Sequence, residues 1–285
     1  MIMYIRQSEN IKFLHKVFNI FKVEKLDDKT IINLPINKKS KNKKIEKVIQ
    51  KLSQYFNNNN IKIVVLEQTL MENANIKNII YSNNINILDG TRLDKFLVYN
   101  LVQKIYQYKK TNIQAGEITL LINENDDINV ETIIMLAKEI KRLNIITNDI
   151  KKFRKIVDYL YKELGILIKL SNNVKTNLRS SDIIVNIDFP EEIVNKLEIP
   201  NNAVVLNMPK NINIKSKKFS GINIKAWEIE VPDKYILERF NTSIMYEASL
   251  YTKPVMKVFE QIQNDDIKIK KLIGVNGVIN AKEFI

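Results

Sequence analysis

The chain has 285 residues, 45% of them hydrophobic, with a formal net charge of +13 and no cysteine. That length carries a sizeable core and room for two domains, and the apolar fraction excludes a disordered chain. Lack of cysteine removes disulfides, thiol nucleophiles and thiolate metal sites together.

The six glycines and six prolines argue against a turn-rich all-β fold. No apolar run approaches the roughly 18 residues of a membrane helix. The opening stretch has polar residues scattered through it and no small-residue cleavage site, so no secretory signal is expected and the cytoplasm is the expected compartment.

In chain order, residues 22–36 read as one or two strands, KVEKL and TIINLPI. Ile45, Val48, Ile49, Leu52 and Phe56 then have the spacing of an amphipathic helix. IKIVVLEQ (61–68) reads as a buried strand, 73–81 as a weak helix and INIL (85–88) as another strand. A turn at Asp89-Gly90-Thr91 leads to a long helix predicted over 92–108.

After a joint at 111–117 the alternation becomes regular. Strands are predicted at 117–123, 144–147, 166–170, 182–187 and 203–208, with helices at 129–142 and 151–164. Gly165 stands where a helix C-cap belongs. Strands separated by helices of this length demand crossover connections and a parallel sheet. Beyond Pro209 the pattern predicts a loop and a short strand, helices at 233–249 and 252–262, and a last strand-like piece, KKLIGVNGVI, in which Gly274 to Gly277 form a hairpin or loop.

The positive charge invites a nucleic-acid reading. Yet lysine, asparagine and isoleucine saturate the whole chain, as AT-rich codon usage produces. The densest run, Lys38, Lys39, Lys41, Lys43, Lys44, Lys47 and Lys51, opens a helix and reads as a solvated face. Arginine, which reads base edges by bidentate contacts, is scarce. Nucleic acid is therefore not the expected partner.

This layout resembles the two-domain NAD(P)-dependent dehydrogenases of the shikimate dehydrogenase and methylenetetrahydrofolate dehydrogenase type. The likeness rests on the order of the parts and on SSDIIVNIDFPEEIVNKLEIPNNAVVLNM (180–208), which looks like the family's late strand, short helix and following strand. It rests also on Asn148-Asp149 at the end of the second strand of the regular region, near the position that binds the adenine ribose. The resemblance implies a Rossmann-like, doubly wound parallel sheet of the α/β class, preceded by a smaller α/β domain and followed by C-terminal helices. It places boundaries at 1–112, 113–228 and 229–285. Under it, Asn125, Asn148 and Asp149 are the candidate cofactor contacts, and Asp89 matches the family's substrate aspartate. No segment matches the V-T-x-P-x-K stretch that supplies that aspartate's lysine partner, and a turn aspartate capping helix 92–108 is the simpler role for Asp89.

The departure falls at the phosphate loop. A dinucleotide fold needs G-x-G-x-x-G there, so that backbone N–H groups reach the pyrophosphate. Here the segment is Asn123-Glu124-Asn125-Asp126-Asp127-Ile128-Asn129, with no glycine and three carboxylates. Asp127 or Asn129 is expected to cap the following helix.

Other chemistry is thinly represented. The lone His15 reads as packing, a zinc site would need mostly carboxylates, and neither a P-loop nor a nucleophile elbow occurs. Trp227, Tyr235, Phe240, Tyr246, Tyr251 and Phe259 read as packing of the C-terminal region, where Glu247 and Lys253 also fall.

Three functions stay open. The first is a Rossmann-like protein of dehydrogenase ancestry that is non-catalytic, or takes a non-dinucleotide small molecule in an interdomain cleft. The second is an oxidoreductase using NAD or NADP through an atypical loop. The third is a basic interaction or nucleic-acid module built on the 38–51 helix. No metal is expected, and an oligomer is compatible with all three.

Overall fold

The computed structural model describes residues 1–8, 20–26, 28–36, 40–173, 178, 180–209, 212–215 and 219–284. His15, Lys38 and Lys39 lie outside them. The chain divides into two compact units, Met1–Leu93 with Val231–Lys253, and Asp94–Glu230 with Pro254–Ile285. Residues 94–112 thus belong with the second unit, and the segment after 230 is shared between the two, whereas the sequence pattern draws its lines at 112 and 228. No helix among the described residues is long and apolar enough to cross a membrane.

The first unit is built on a five-stranded sheet. Its strands are β1 (Ile2–Gln7), β2 (Lys22–Leu26), β3 (Lys29–Leu34), β4 (Ile63–Leu66) and β5 (Asn86–Ile87), in the order β2-β3-β1-β4-β5. Only the edge strand β2 runs antiparallel to its neighbour. The central strand is the chain's first segment, which hydrophobic pattern alone does not mark as a strand.

Successive side chains on a strand point to opposite faces, and both faces here are covered. Met3, Ile5, Ile32, Leu34, Val64 and Leu66 meet helix α1 (Asn42–Asn58), through Val48, Ile49, Leu52 and Phe56. A four-residue helix α2 (Gln68–Met71) follows β4, and helix α3 (Ala74–Ser82) adds Ile76 and Ile80 to the same core. The alternate residues Tyr4, Ile31, Val65 and Leu88 form a second core with Phe240, Ile244, Met245 and Ala248 of the C-terminal segment. Tyr4 meets Phe240 edge-on, with ring centroids 6.0 Å apart.

The second unit begins within the predicted 92–108 helix. That helix breaks at Leu97 into α4 (Thr91–Phe96) and α5 (Val98–Lys109). Six strands follow in one parallel sheet: β6 (Glu117–Leu121), β7 (Arg142–Ile146), β8 (Ile168–Ser171), β9 (Ile183–Asn186), β10 (Val204–Asn207) and β11 (Ile222–Ile224), in the order β11-β10-β9-β6-β7-β8. Numbered from its own first strand, this is the 3-2-1-4-5-6 order of the dinucleotide fold. The sixth strand lies in the stretch that the pattern reads as a loop and a short strand.

Helices α6 (Asp127–Glu139) and α7 (Ile150–Leu164) join the first three strands, and Gly165 ends α7 in the left-handed region at φ 66°. A short helix α8 (Glu191–Val194) links β9 to β10. A separate antiparallel sheet comprises β12 (Ala226–Glu230), β13 (Lys268–Gly274) and β14 (Gly277–Ile279), the last two joined at Val275-Asn276 as the glycine pattern predicts. Helix α9 (Thr242–Leu250) belongs to the first unit and α10 (Val255–Asn264) to the second. The C-terminal aromatics pack, Tyr235 against Tyr246 and Phe96 against Phe259.

Two buried contacts can be tested by substitution. Glu247 on α9 is 3% exposed and accepts N–H bonds from Gly90 (2.9 Å), Arg92 (2.9 Å) and Leu93 (3.1 Å), so it caps α4 from another part of the chain. Burial pushes its carboxyl above the usual 4.5, with the Gly90 and Leu93 amides opposing and the Asp89 charge adding to the rise. A raised folded-state value means that the stability it contributes is full at low pH and is lost as pH climbs through that value. The melting temperature of wild type minus that of Glu247→Gln should therefore shrink as pH rises from 4.5; a difference that widens would refute the assignment.

The other contact is Gly116. A Cβ there would lie 1.7 Å from the Tyr106 hydroxyl oxygen and 2.5 Å from its Cζ. That hydroxyl is buried and has no hydrogen-bond partner among the described residues. Gly116→Ala should cost about 2–3 kcal/mol in denaturant unfolding. Tyr106→Phe alone should be near neutral and should recover part of that loss in the double variant.

Candidate functional site

Open parallel sheets bind ligands outside the carboxyl ends of their strands, where the strand order reverses. In the second unit that point lies between β6 and β9, because the chain winds from β6 toward β8 on one side and from β9 toward β11 on the other. The turn after β6 therefore faces the turn after β9, and both turns carry backbone N–H groups with no strand partner.

The β6 turn has its N–H groups filled from within the chain. Asn123 N–H donates to both carboxylate oxygens of Asp188, at 2.8 and 2.9 Å, and Glu124 N–H donates to Asp188 Oδ2 at 2.7 Å. Asp188 is placed by the turn that ends β9. Asn186, fully buried, accepts the Phe189 N–H at 2.9 Å and donates back to the Phe189 carbonyl at 3.0 Å. Phe189 is itself buried in the core beneath. Asn186 also donates to Asn207, and Asn207 to Asn223, a chain of buried amides across the ends of β9, β10 and β11.

Asp188 thus sits on two amides where a dinucleotide fold holds an anion. Burial pushes its carboxyl above the ordinary aspartate value. The Glu124 and Asn123 amides pull it back, the Glu124 charge adds to the rise, and Lys95 opposes it.

Around it Lys95, Glu124, Asp126 and Asn129 are also committed. Lys95 Nζ bridges Glu124 at 2.8 Å and Asp126 at 3.2 Å. Burial lowers this ammonium, but its bonds to Glu124 and Asp126 more than offset that, so its pKa stands above the usual lysine value. Asp126 caps α6 by accepting the Asn129 N–H at 2.8 Å, and the Asn129 amide donates to the Glu124 carbonyl at 2.9 Å. The cap is therefore neither Asp127 nor Asn129, the two expected, but the residue one step earlier. The extended backbone of Asp126 lets its side chain turn back onto the first helical N–H groups.

The candidate cofactor contacts lie on the same carboxyl edge. Asn125 donates to the Lys152 carbonyl at 2.8 Å, and Asn148 N–H donates to the Asn123 side chain at 2.8 Å. Asp149 accepts the Lys151 N–H at 3.0 Å and caps α7. Asp89 stands in the first unit, where it accepts the Thr91 N–H at 3.0 Å at the start of α4. Sequence pattern misses Asp188, Lys95 and Asn123. The discoverable signal is the Asp-Phe-Pro that ends the fourth strand, which must face the first turn in any 3-2-1-4-5-6 sheet.

A pyrophosphate does not fit these residues. Its seat holds a carboxylate, Glu124 and Asp126 border it, and the turn contains no glycine to widen its approach. Displacing Asp188 would break charge-assisted bonds worth on the order of 1.5–3 kcal/mol each before solvent screening, and would leave like charges a few ångströms apart. Among the described residues no group of three or more His, Asp or Glu side chains could hold a metal ion.

No known protein family and no curated protein matches the chain. Solved structures similar to it include the L-tryptophan dehydrogenase of Nostoc punctiforme, at 10% identity, covering 92% of this chain and 78% of that one with a TM-score of 0.37. An L-alanine dehydrogenase is 11% identical, covering 72% and 69%, with a TM-score of 0.37. A shikimate 5-dehydrogenase-like protein is 10% identical, covering 91% and 95%, with a TM-score of 0.31. The fold assignment stands on the chain's own strand order, not on these likenesses.

Proposed function

We propose that this chain is a Rossmann-like protein that has left dinucleotide chemistry and acts by binding, its former phosphate seat closed by its own Asp188. The observation that carries this reading is the Asp188 carboxylate on the Asn123 and Glu124 amides. An internal carboxylate in that position satisfies the same N–H groups that a bound anion would, at no cost in ligand-ordering entropy, so it competes at very high effective concentration. Asp126 and Asp149 support the reading, since each spends its side chain on capping a helix that a cofactor phosphate or ribose would otherwise meet.

Calorimetry with NAD(H) and NADP(H) at low salt tests it directly. The expected result is no binding heat up to millimolar cofactor, and one-to-one binding in the micromolar range would overturn the proposal in favour of an oxidoreductase with an atypical loop. A second titration isolates the plug. Asp188→Ala frees both amides, and inorganic pyrophosphate should then bind the variant at least about tenfold more tightly than wild type. Equal affinity would mean that Asp188 merely braces the turn.

A further inference from the structure

Beyond the closed crevice, the outer face of α7 carries a second feature. Its buried stripe is Phe153, Ile156 and Leu160. Its exposed residues are Lys151, Lys152, Arg154, Lys155, Asp158, Tyr159, Tyr161, Lys162, Glu163 and Leu164, five of them cations and two acids. None of these seven charged side chains forms an ion pair among the described residues. At about 100° per residue, Lys151, Lys155 and Lys162 fall within roughly 40° of one another and span about 16 Å along the axis. Asp158 interrupts this ridge, and Tyr159 and Tyr161 flank it on opposite sides.

The tyrosines are what distinguish this face from an ordinary solvated one. Tyr159 is 48% and Tyr161 60% exposed, and Leu164 (42%) and Leu167 (76%) continue the apolar surface toward the edge strand β8. Helix α1 supplies the contrast. It exposes Lys43, Lys47 and Lys51, but beside them only Glu46, Gln50, Gln54 and asparagines. Lysine enrichment therefore explains α1 completely and leaves the rings of α7 unexplained.

We infer that the Lys151–Lys155–Lys162 ridge with its flanking Tyr159 and Tyr161 is a binding surface for single-stranded nucleic acid. Lysine neutralises phosphates as a point charge without reading bases, and exposed rings stack on bases that are free of a duplex. A convex helical ridge suits a flexible polyanion better than a folded acidic protein, which would need a pocket for its central anchors. The scarcity of arginine, which argues against base-specific duplex readers, does not bear on a surface that tracks a backbone. This inference does not rest on the state of the Asp188 crevice, and cofactor and strand titrations fail independently.

The test is fluorescence anisotropy of the full chain with labelled oligothymidylate and oligouridylate of about twenty residues, across a salt series. Wild type should bind one or both, more tightly than a duplex of the same length, the two strands distinguishing DNA from RNA as the source. K151E/K155E/K162E should weaken binding at least about tenfold and flatten the slope of log affinity against log salt by about two. Y159A/Y161A should weaken it about tenfold with the slope retained. K43E/K47E/K51E on α1 should leave it within about twofold, with thermal melts confirming that every variant is folded. Four results would each overturn the proposal: no binding by wild type, equal or tighter binding of duplex, an equal loss on reversing α1, or displacement of the strand by polyglutamate at matched charge, which would point to an acidic protein partner.

Discussion

A parallel sheet must bury both of its faces, and most of this architecture follows from that constraint. In the first unit, α1 and α3 cover one side, and the other would be left bare by the 93 residues that open the chain. The C-terminal segment closes it. Ile244, Met245 and Ala248 of α9 pack on Tyr4, Ile31 and Val65. Bringing α9 there also brings Glu247, a buried carboxylate that is tolerable only because the N-terminus of α4 offers it three N–H donors. The return of the chain to its first unit is thus a hydrophobic requirement with a hydrogen-bonded lock.

The second unit poses a different demand. Where a doubly wound sheet reverses direction, turns meet with their N–H groups pointing into one crevice, and those groups require an acceptor. Dinucleotide-binding proteins leave the acceptor to the ligand. Here Asp188 supplies it, held by the Asn186–Phe189 turn, while Lys95 draws Glu124 and Asp126 together beside it. A glycine-free turn is then no defect. With the Asn123 and Glu124 N–H groups satisfied internally, the proposed closed seat has no need of glycine in this turn.

The second unit was largely legible in the sequence because its strands are short apolar runs between helices of strong 3.6-residue periodicity. Phe153, Ile156 and Leu160 with Gly165 mark α7 almost to the residue. What was not legible has physical causes. β1 carries no alternation to mark it, because its apolar residues Ile2–Ile5 run straight into Arg6 and Gln7 and its burial comes from neighbours on both sides. β11 is three residues long and belongs to the sheet only through its pairing with β10. The break at Leu97 leaves the apolar spacing of 92–108 intact and is invisible to periodicity. At the crevice, the acidic turn itself was plain, but its partner lies 65 positions away at Asp188, and only the strand order brings the two together.

The same distinction separates the two charge features of this basic chain. Asp188, Asp126 and Glu124 at the crevice each answer a backbone N–H or Lys95, so local structure accounts for them. The cations of α7 form no ion pair among the described residues, and the Tyr159 and Tyr161 rings beside them gain little from burial in the fold. Groups that complete the fold explain themselves through their partners. Groups that the fold leaves without partners carry no such explanation, and that contrast among the described residues is what directs the proposed strand to the outer face of α7 and not to the crevice.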